Sequence, residues 1–530
     1  MTASNTASIL FPGGEDNMSH HQSPRISEKQ TIESHIPSIT SDAPNTSHTR
    51  WWKDRGLRSL NLRLLAVFIS PLMIGYDGTL IGSLLTMPHY LGLNPESSSL
   101  IGLMSAGYSF GAMIAFPALS WALDTFGRRI VIMAGDLVII GAVLGQIFCY
   151  DARLYVLTRT ALTYLLINEQ LGMGSMLVTA SCPVLLTELA HPRQRSFLVS
   201  GYGSLFFVGS LVVAWVSFGT LHIPTQWSWR IPTLLQLLPP AAQLPLIFLL
   251  PESPRWLVSH QRHSEARDIL VRFHADGKPY DEVVLTQYTK ICQAIELDVQ
   301  GQVTRWVTWF HGSGNRRRLL LVVFCTVFGS WSGGGIITVY VSVALRQVGI
   351  TAPAQQAGIN GGLQVFNLCA ALLGASLVDK IGRRVLFVSS SVIMLFAMVG
   401  FTVATEQFTQ SPQLASSRAL VAMIFLFQFG YDIGYAPLTP MYIAEICPYH
   451  LRAKAMALHY LLMYAFSAAS HYANPVALHS MGWRYYIVYV GILAFEVLFT
   501  YFLFPETKGY TIEEISSIFD KPEPTSSEDS

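Results

Sequence analysis

The sequence predicts an all-α protein that crosses a membrane with twelve helices in two sets of six. Three observations support this prediction: an apolar composition, a series of apolar runs of spanning length, and an internal duplication. Of the 530 residues, 51% are hydrophobic and only 13% are charged, whereas a soluble domain carries about 25% charged residues. The composition therefore indicates an integral membrane protein. The formal net charge of +1 gives no indication of a nucleic-acid partner.

Twelve apolar runs have the length, about 20 residues, that a helix needs to cross the hydrocarbon core of a bilayer. Pro and Gly interrupt several of them, which spanning helices tolerate when neighbours satisfy the freed backbone groups. The first six predicted spans are 62–84, 99–121, 130–149, 171–187, 198–219 and 231–250. The second six are 319–343, 355–378, 385–404, 419–442, 455–477 and 485–504.

The segments outside these runs complete the predicted organisation. The N-terminal tail is rich in Ser, Thr, His, Pro and Asn without apolar periodicity, so we expect it to be disordered. The polar stretch between the two sets contains Ser264–Phe273, whose apolar residues recur at helical spacing and predict an amphipathic helix on the membrane surface. The predicted units are a tail (1–60), a six-helix bundle (61–250), a loop with amphipathic helices (251–318), a second bundle (319–504) and a C-terminal tail (505–530).

A short charged turn occurs twice, as Asp124–Arg129 (DTFGRR) and as Asp379–Arg384 (DKIGRR). The two copies lie roughly 255 residues apart, which is too far for a solenoid repeat and indicates a duplicated half, a mark of secondary transporters. Two further pairs repeat at nearly the same offset: Glu188–Arg195 with Glu445–Arg452, and Pro251–Ser253 with Pro505–Thr507.

The positive charges in the short loops predict the orientation of the chain. Lys and Arg are enriched in cytoplasmic loops of membrane proteins. The even-numbered loops carry Arg128, Arg129, Arg193, Arg195, Arg383, Arg384, Arg452 and Lys454. We therefore expect these loops, and with them both chain termini, to be cytoplasmic.

The sequence shows no sign of catalytic chemistry. Its six cysteines are scattered and none forms a CxxC pair, so neither a disulfide framework nor a metal site is predicted. No catalytic triad or phosphate-binding loop occurs. We expect no enzyme activity and no cofactor.

The chain resembles the major facilitator superfamily and, within it, the sugar porter family. The resemblance rests on LDTFGRR, TELAHPRQR, PESPRWL, VDKIGRR, AEICPYHLRAK and PETKG, which occur in this order between about residues 62 and 519. Gly75–Gly78 (GYDG) is most similar to the fungal lactose-permease and hexose-transporter branch. The resemblance implies two pseudo-symmetric six-helix bundles that rock about a central site and expose it alternately to the two sides.

The resemblance also implies a network of charged residues at the cytoplasmic ends of the helices. In the family, such ion pairs tie helix ends together in the outward-open state and separate when the carrier opens inward. Ion pairs at a partly hydrated interface can hold helix ends together and can also separate during a conformational change. The matching residues are Asp124, Arg128, Arg129, Glu188, Arg195, Glu252 and Arg255 in the first half, and Asp379, Arg383, Arg384, Glu445, Arg452 and Glu506 in the second. Topology-setting positive charge is the alternative interpretation.

Asp77 is the candidate proton site, because it lies within the first predicted span. An ionised carboxylate there costs about 2.5–3.5 kcal/mol, so it must be neutral, paired or exposed to a water-filled cavity. In proton-coupled sugar porters an acid at this place takes up the proton, and its usual partner is an Arg early in the fourth span, here Arg159. Extra residues, among them Asn168, Glu169 and Gln170, follow Arg159 when compared with the family, which leaves that pairing open. A structural hydrogen bond is the alternative role for Asp77.

The candidate substrate residues depart in part from the family pattern. The seventh span has Gly329–Gly335 (GSWSGGG) where sugar porters have Gln-Gln and Asn. Trp331 could stack on a sugar ring or fill the space that the glycines leave. Gln364 and Asn367 share one face of the eighth span, and an acid in the tenth span is expected to face a cavity. The candidates are Trp331, Gln364, Asn367, Asp432, Tyr464 and Asn474.

These features predict a proton-coupled importer of a hexose or of a disaccharide such as lactose or cellobiose. We expect it to act as a monomer in the plasma membrane, with the sugar, protons and the lipid bilayer as its partners. Two alternatives remain open at the level of sequence. One is a carrier of a non-sugar metabolite, as facilitator or exporter; the other is a sugar sensor that does not transport.

Overall fold

The computed structural model describes residues 54–87, 98–148, 169–299 and 306–509, together with Trp52, Ile515 and Phe519. Within these residues all regular structure is helical, and 11 segments are long and apolar enough to cross a membrane. The last of them, Lys454–Leu503, consists of two helices. The described chain thus has twelve spans, and the predicted all-α fold is confirmed.

The spans are numbered in chain order, and three of them are interrupted. The first six are Arg55–Leu84, Ser98–Phe126, Arg128–Phe148, Glu169–Leu189, Pro192–Thr220 and, as span 6, Trp227–Leu235 with Leu238–Phe248. Span 7 is Ser313–Trp331 with Gly334–Val339, span 8 is Pro353–Ile381 and span 9 is Arg383–Gln410. Span 10 is Leu414–Ile433 with Tyr435–Ile446, span 11 is Tyr449–Met481 and span 12 is Tyr485–Leu503.

Short helices connect spans 6 and 7. They are Pro254–Ser259, His263–His274 and Glu282–Val299, followed by a 3₁₀ turn over Trp306–Phe310. The helix His263–His274 covers the amphipathic stretch of the sequence and buries Ala266, Leu270 and Phe273. The Arg63 guanidinium of span 1 lies 5.2 Å from the centre of the Phe273 ring. The apolar side of this helix therefore packs onto the start of span 1.

The two copies of the charged turn form the same tight connection between consecutive spans. Span 2 ends at Phe126 and span 3 begins at Arg128, with Gly127 between them at φ +85°. Gly382 joins spans 8 and 9 in the same way at φ +106°. Only glycine adopts such backbone angles at little cost. We call the side of the protein that carries these turns the motif face and the opposite side the far face.

Spans 1 and 5 approach each other closely through two glycines. A Cβ atom added to Gly75 would overlap the carbonyl oxygen of Phe206, and one added to Gly209 would overlap that of Leu72. Small residues allow the backbones of membrane helices to come into contact, which strengthens their packing. The contact fixes the part of span 1 that carries Asp77.

The two halves of the chain meet at the far face. The Asn360 amide of span 8 donates a hydrogen bond to Ser83 Oγ of span 1 at 3.2 Å. The Arg346 guanidinium, just beyond span 7, donates to the carbonyl oxygen of Leu85 at 3.3 Å. Span 1 also passes span 7 closely, because a Cβ at Gly82 would lie 2.8 Å from the carbonyl oxygen of Thr338. These contacts close the far face in this conformation.

The substitution Gly209→Ala should destabilise the protein, because the added methyl group can be accommodated only if spans 1 and 5 separate. We expect a loss of about 1–3 kcal/mol, measured as a lower thermal unfolding temperature in detergent. The control is Gly203→Ala on the same helix, where a Cβ would meet no atom within 4 Å. Since Ala favours helix over Gly by up to about 1 kcal/mol, the control should be neutral or stabilising. Equal effects of the two substitutions would contradict the close contact.

Candidate functional site

Asp77 lies inside the first half and is bonded to uncharged side chains of two other spans. The residue is 6% exposed. Asp77 Oδ1 accepts a short hydrogen bond from the Gln236 amide, and Oδ2 lies 3.4 Å from the hydroxyl of Ser175 in span 4. Gln236 occupies the interruption of span 6, between Leu235 and Leu238. Spans 1, 4 and 6 therefore converge on this carboxyl group.

The predicted partner of Asp77 lies outside the described residues, because Arg159 falls between Phe148 and Glu169. Sequence reasoning missed Gln236 and Ser175. Gln236 is a polar residue in a run of apolar residues and prolines, and this contrast was the available signal. Its contact with Asp77 could not be predicted, since it joins residues 159 positions apart.

A series of buried amides runs along span 8. Asn360, Gln364 and Asn367 are spaced four and three residues apart, which places them on one helix face, and each is 2–3% exposed. The Gln364 amide donates to Asn360 Oδ1 at 3.3 Å. Since Asn360 also bonds Ser83 of span 1, the series reaches across to the first half.

The end of this series that is nearer to the motif face, at Asn367, contacts span 10. In the orientation that satisfies both polar atoms of Asn367, its amide nitrogen lies 3.2 Å from Asp432 Oδ2. Its oxygen accepts a hydrogen bond from the Gln428 amide at 3.1 Å. We call Ser83, Asn360, Gln364, Asn367, Gln428 and Asp432 the polar ladder. Sequence reasoning had singled out Gln364, Asn367 and Asp432, and the structure brings these three together; it missed the other three, of which Asn360 continues the same helical spacing.

Trp331 lies at the interruption of span 7. The first helix of this span ends at Trp331, and Gly333 follows with φ +110°. The Trp331 indole donates to the carbonyl oxygen of Phe466 in span 11 at 2.9 Å, and the two rings meet edge to face. Close to the same interruption, the Tyr431 hydroxyl of span 10 donates to the carbonyl oxygen of Gly329 at 2.9 Å. The interruption is therefore held by spans 10 and 11.

The two candidates on span 11 make different contacts. Tyr464 is 6% exposed and packs against Tyr108 of span 2, with 6.4 Å between the ring centres. Asn474 is fully buried, and its Oδ1 accepts hydrogen bonds from the hydroxyls of Tyr485 and Tyr489 in span 12, at 3.0 and 2.6 Å. Tyr464 thus lies at the contact between the halves, and Asn474 joins spans 11 and 12.

Glu252 caps the helix that begins after the first charged turn. Its two carboxylate oxygens accept hydrogen bonds from the backbone amides of Arg128 and Arg129, both at 3.2 Å. The Arg128 side chain pairs with Glu188 of span 4 at 3.1 Å. A carboxylate at a helix N-terminus satisfies amides that have no partner within the helix and interacts favourably with the helix dipole.

Glu506 makes the corresponding contacts in the second half. It accepts hydrogen bonds from the backbone amides of Arg383 and Arg384 at 2.9 and 3.1 Å, and the Arg383 side chain pairs with Glu445 at 3.1 Å. Arg129 and Arg384 each donate to a main-chain oxygen near the end of the last span of their own half, Phe248 and Tyr501 respectively.

The remaining residues of the predicted network make looser contacts. Asp124 has an exposed side chain, and its main-chain oxygen accepts a bond from the Trp256 indole at 2.9 Å. The Arg195 guanidinium donates to the carbonyl oxygen of Ala190 at 3.5 Å, and Arg255 is exposed in the helix Pro254–Ser259. Arg452 lines a cavity of about 310 Å³ together with Arg383 and Glu445. The side chain of Asp379 lies outside the described residues. The ion pairs and capping bonds named here each join residues of one half.

The pKa values of the two capping carboxylates are shifted in opposite directions. Burial raises the pKa of Glu252, and the backbone amides of Ser253, Arg129 and Arg128 only partly offset this effect. For Glu506, burial acts in the same direction, but the amides of Lys508, Arg383, Arg384 and Thr507 outweigh it, so that the pKa of Glu506 is lowered. The cap on span 9 therefore holds its charge more firmly than the cap on span 3.

Twelve spans, two similarly built halves and buried polar groups on helices of both halves define a secondary membrane carrier. The family model described as "Sugar (and other) transporter" matches residues 62–519. The chain belongs to this family, the sugar porters of the major facilitator superfamily, as its motifs predicted. It is a family of transporters and not of enzymes, and the protein is a multi-pass membrane protein.

Two relatives and one solved structure illustrate the similarity. The chain is 26% identical to the "MFS-type transporter criB" of Aspergillus cristatus, over 85% of this chain and 91% of that protein. It is 25% identical to the "Sugar transporter STL1" of Saccharomyces cerevisiae, over 90% and 84%. The inward-open xylose transporter XylE of E. coli has a similar fold, with a TM-score of 0.69 and 21% identity over 87% of this chain and 100% of that chain.

The substitution Glu506→Gln should destabilise the protein more than Glu252→Gln does. Glutamine keeps one acceptor oxygen but loses the charge that the helix N-terminus favours, and only Glu506 has a lowered pKa. A lost cap costs about 0.5–2 kcal/mol, so thermal unfolding near neutral pH should separate the two variants.

The pH dependence of unfolding provides a second test of the caps. A group with a lowered pKa stabilises the fold above its unfolded pKa and loses this effect as the pH falls through its folded pKa. The difference between wild type and Glu506→Gln should therefore shrink only in acid, below the ordinary glutamate pKa of about 4.3. A larger loss from Glu252→Gln would contradict the assignment.

Proposed function

We propose that this protein imports a sugar, a hexose or a disaccharide, together with a proton. It would work by alternating access, with Asp77 as the proton acceptor. The observation that supports this proposal is the buried Asp77 carboxyl group, which is bonded to Gln236 and Ser175. An amide and a hydroxyl can contact a carboxylate or a carboxylic acid alike, so Asp77 can gain or lose a proton without losing its surroundings.

The polar ladder is the proposed sugar site. A neutral polyol needs hydrogen-bond partners for its hydroxyls and an apolar surface for its ring. Gln364 and Asn367 offer donors and acceptors, Asp432 offers acceptors, and the indole of Trp331 offers an aromatic surface. Tyr464 and Asn474 would border this site from span 11. The solved structure of the bacterial xylose transporter concerns a sugar carrier with the same fold, which supports this choice of substrate class.

Proton and sugar would act on the same contact between the halves. Asp77 and Ser83 lie six residues apart on span 1, which is about 9 Å along a helix axis. Ser83 bonds Asn360, the first amide of the polar ladder. This bond must break when the far face opens. We propose that proton binding to Asp77 and sugar binding to the polar ladder together change the stability of this contact. This shared effect couples the movement of the proton to that of the sugar.

The proposed orientation puts the motif face and both termini in the cytoplasm of a cell whose plasma membrane holds the carrier as a monomer. The conformation described here, closed at the far face, would then be the one that faces inward. The ion pairs Arg128–Glu188 and Arg383–Glu445, which each lie within one half, would then stay formed on inward opening instead of separating as the family resemblance implies. The membrane potential supplies about 2.3 kcal/mol per charge per 100 mV, which is enough to concentrate a neutral sugar several-fold.

A carrier of a non-sugar metabolite is the second candidate. The interruption of span 7 holds glycines, Ser330, Trp331 and Ser332 but no amide side chain, so its walls are less polar than a polyol requires. The relative from Aspergillus cristatus is described as an MFS-type transporter, without reference to sugar.

The substitution Asp77→Asn should abolish proton movement that depends on sugar, because an amide cannot exchange a proton. We would express the protein in transporter-null yeast and record the uptake of labelled lactose, cellobiose and glucose together with the external pH. Alkalinisation on sugar addition should disappear in Asp77→Asn and persist in the control Asp276→Asn, which alters an acid at a left-handed loop position that Asn also tolerates.

Three outcomes would revise this proposal. Sugar uptake without proton movement in the wild type would make the protein a facilitator. An unchanged proton signal in Asp77→Asn would exclude Asp77 as the acceptor. No uptake of any sugar by protein that reaches the membrane would favour the metabolite carrier.

The substitution Asn367→Ala should raise the KM for sugar on the order of tenfold, since the loss of one hydrogen bond to a polar partner costs about 0.5–1.5 kcal/mol and leaves Asp432 without its amide donor. Uptake kinetics at a fixed pH would measure this change. The control is Gln410→Ala at the exposed end of span 9, where the amide bonds only Glu406 among the described residues. An unchanged KM in Asn367→Ala would place the sugar site elsewhere.

A further inference from the structure

Glu496 is a buried acid of the second half that the proposed transport cycle does not use. It lies near the middle of span 12 and is fully buried. An ionised carboxylate at this depth costs about 2.5–3.5 kcal/mol unless a cation compensates it. The polar groups around Glu496 come from two other spans: Ser391 of span 9, and Tyr435 of span 10, which bonds Ser391 and also interacts with Glu496 directly.

A count of hydrogens indicates that Glu496 carries a proton. Ser391 Oγ has three oxygen neighbours: the carbonyl oxygen of Phe387 at 2.9 Å, the Tyr435 hydroxyl at 3.0 Å and Glu496 Oε1 at 2.9 Å. Each of these contacts needs one hydrogen, and the carbonyl group has none to donate. Ser391 and Tyr435 supply two hydrogens. A protonated Glu496 that donates to Ser391 supplies the third, so that no two contacts have to share one hydrogen.

The surroundings of Glu496 agree with a neutral acid. The titratable groups that face it are the thiol of Cys325 in span 7 and the phenols of Tyr431 and Tyr435 in span 10. Span 9 contributes Ser391, which does not titrate. Within the described part of the chain, no Lys, Arg or His acts on this carboxyl group. Its second oxygen, Oε2, is buried and has no hydrogen-bond partner there, which would be costly for a carboxylate.

The cluster of Glu496, Ser391 and Tyr435 lies beside the interruption of span 10. Tyr435 is the first residue of the second helix of that span, directly after Gly434. Its ring stacks on that of Tyr431, with 6.3 Å between the ring centres, and Tyr431 bonds the backbone of span 7 at Gly329. The contacts of Glu496 therefore extend to the interruptions of both spans.

We propose that Glu496 is a second proton-binding residue, separate from Asp77, and that the carrier works only while Glu496 holds its proton. When the proton leaves Oε1 for water, one of the three oxygen contacts of Ser391 loses its hydrogen and becomes repulsive. Tyr435 is then released, the second helix of span 10 shifts, and transport stops. The inference rests on the proposed function only in so far as transport serves as one readout.

A direct test is the infrared spectrum of the purified protein near neutral pH. A protonated carboxylic acid has a carbonyl band that a carboxylate lacks. The wild type should show such a band that is absent in Glu496→Gln, whereas Glu406→Gln, which alters an acid at the solvent-facing end of span 9, should leave it unchanged. If the spectra of the wild type and of Glu496→Gln show the same acid band, the proposal is wrong, whether or not the protein transports sugar.

The second test is the dependence of uptake on pH. The glutamine amide can donate to Ser391 as the protonated acid does, but it cannot ionise. Glu496→Gln should transport like the wild type at neutral pH and keep its full rate at the alkaline pH at which wild-type uptake has fallen to half. Glu496→Leu should lower uptake at every pH.

Two results of this test would contradict the role of Glu496. If uptake falls at the same alkaline pH in Glu496→Gln and in the wild type, the titrating group lies elsewhere. A glutamine variant that fails to fold would show that an ionised carboxylate is required. Since Asp77 is intact in every one of these variants, failure here leaves the proton-coupling proposal unaffected.

Discussion

A polar side chain within a membrane span must find its hydrogen-bond partner on a neighbouring helix, because the hydrocarbon core offers none. The organisation of this protein depends on that constraint. Asp77 is bonded to amide and hydroxyl groups of spans 4 and 6, and the amides of span 8 bond one another and Asp432. Each such group ties several helices together, so a change in its protonation or its ligand affects more than one span.

The two halves share the same capping contacts at their aqueous ends, but their buried polar residues differ. Glu252 and Glu506 cap spans 3 and 9 with the same pair of backbone bonds. In the interior, Asp136 lies eight residues after Arg128, and its counterpart after Arg383 is Ser391. Any half of this kind needs its helix ends capped, whereas nothing requires the buried polar side chains of the two halves to match. The interior was therefore free to differ.

The interruptions of spans 6, 7 and 10 place the most important side chains. Gln236 lies between the two helices of span 6, Trp331 ends the first helix of span 7, and Asp432 and Tyr435 flank Gly434 in span 10. A broken helix presents backbone and side-chain groups at mid-membrane depth that a continuous helix would keep along its surface. Bonds from Asp77, Phe466 and Ser391 hold these three places.

The sequence by itself determined the number of spans, the duplication, the family and the residues of the charged turns, because apolar length and local motifs carry this information. It also placed Gln364, Asn367 and Asp432 on helices from which they could meet. Only the tertiary structure decided that Asp77 contacts Gln236, that Asn360 reaches Ser83 and that Glu496 shares Ser391 with Tyr435. These contacts join residues that are 44 to 277 positions apart, and such pairs depend on how the helices pack rather than on any local pattern.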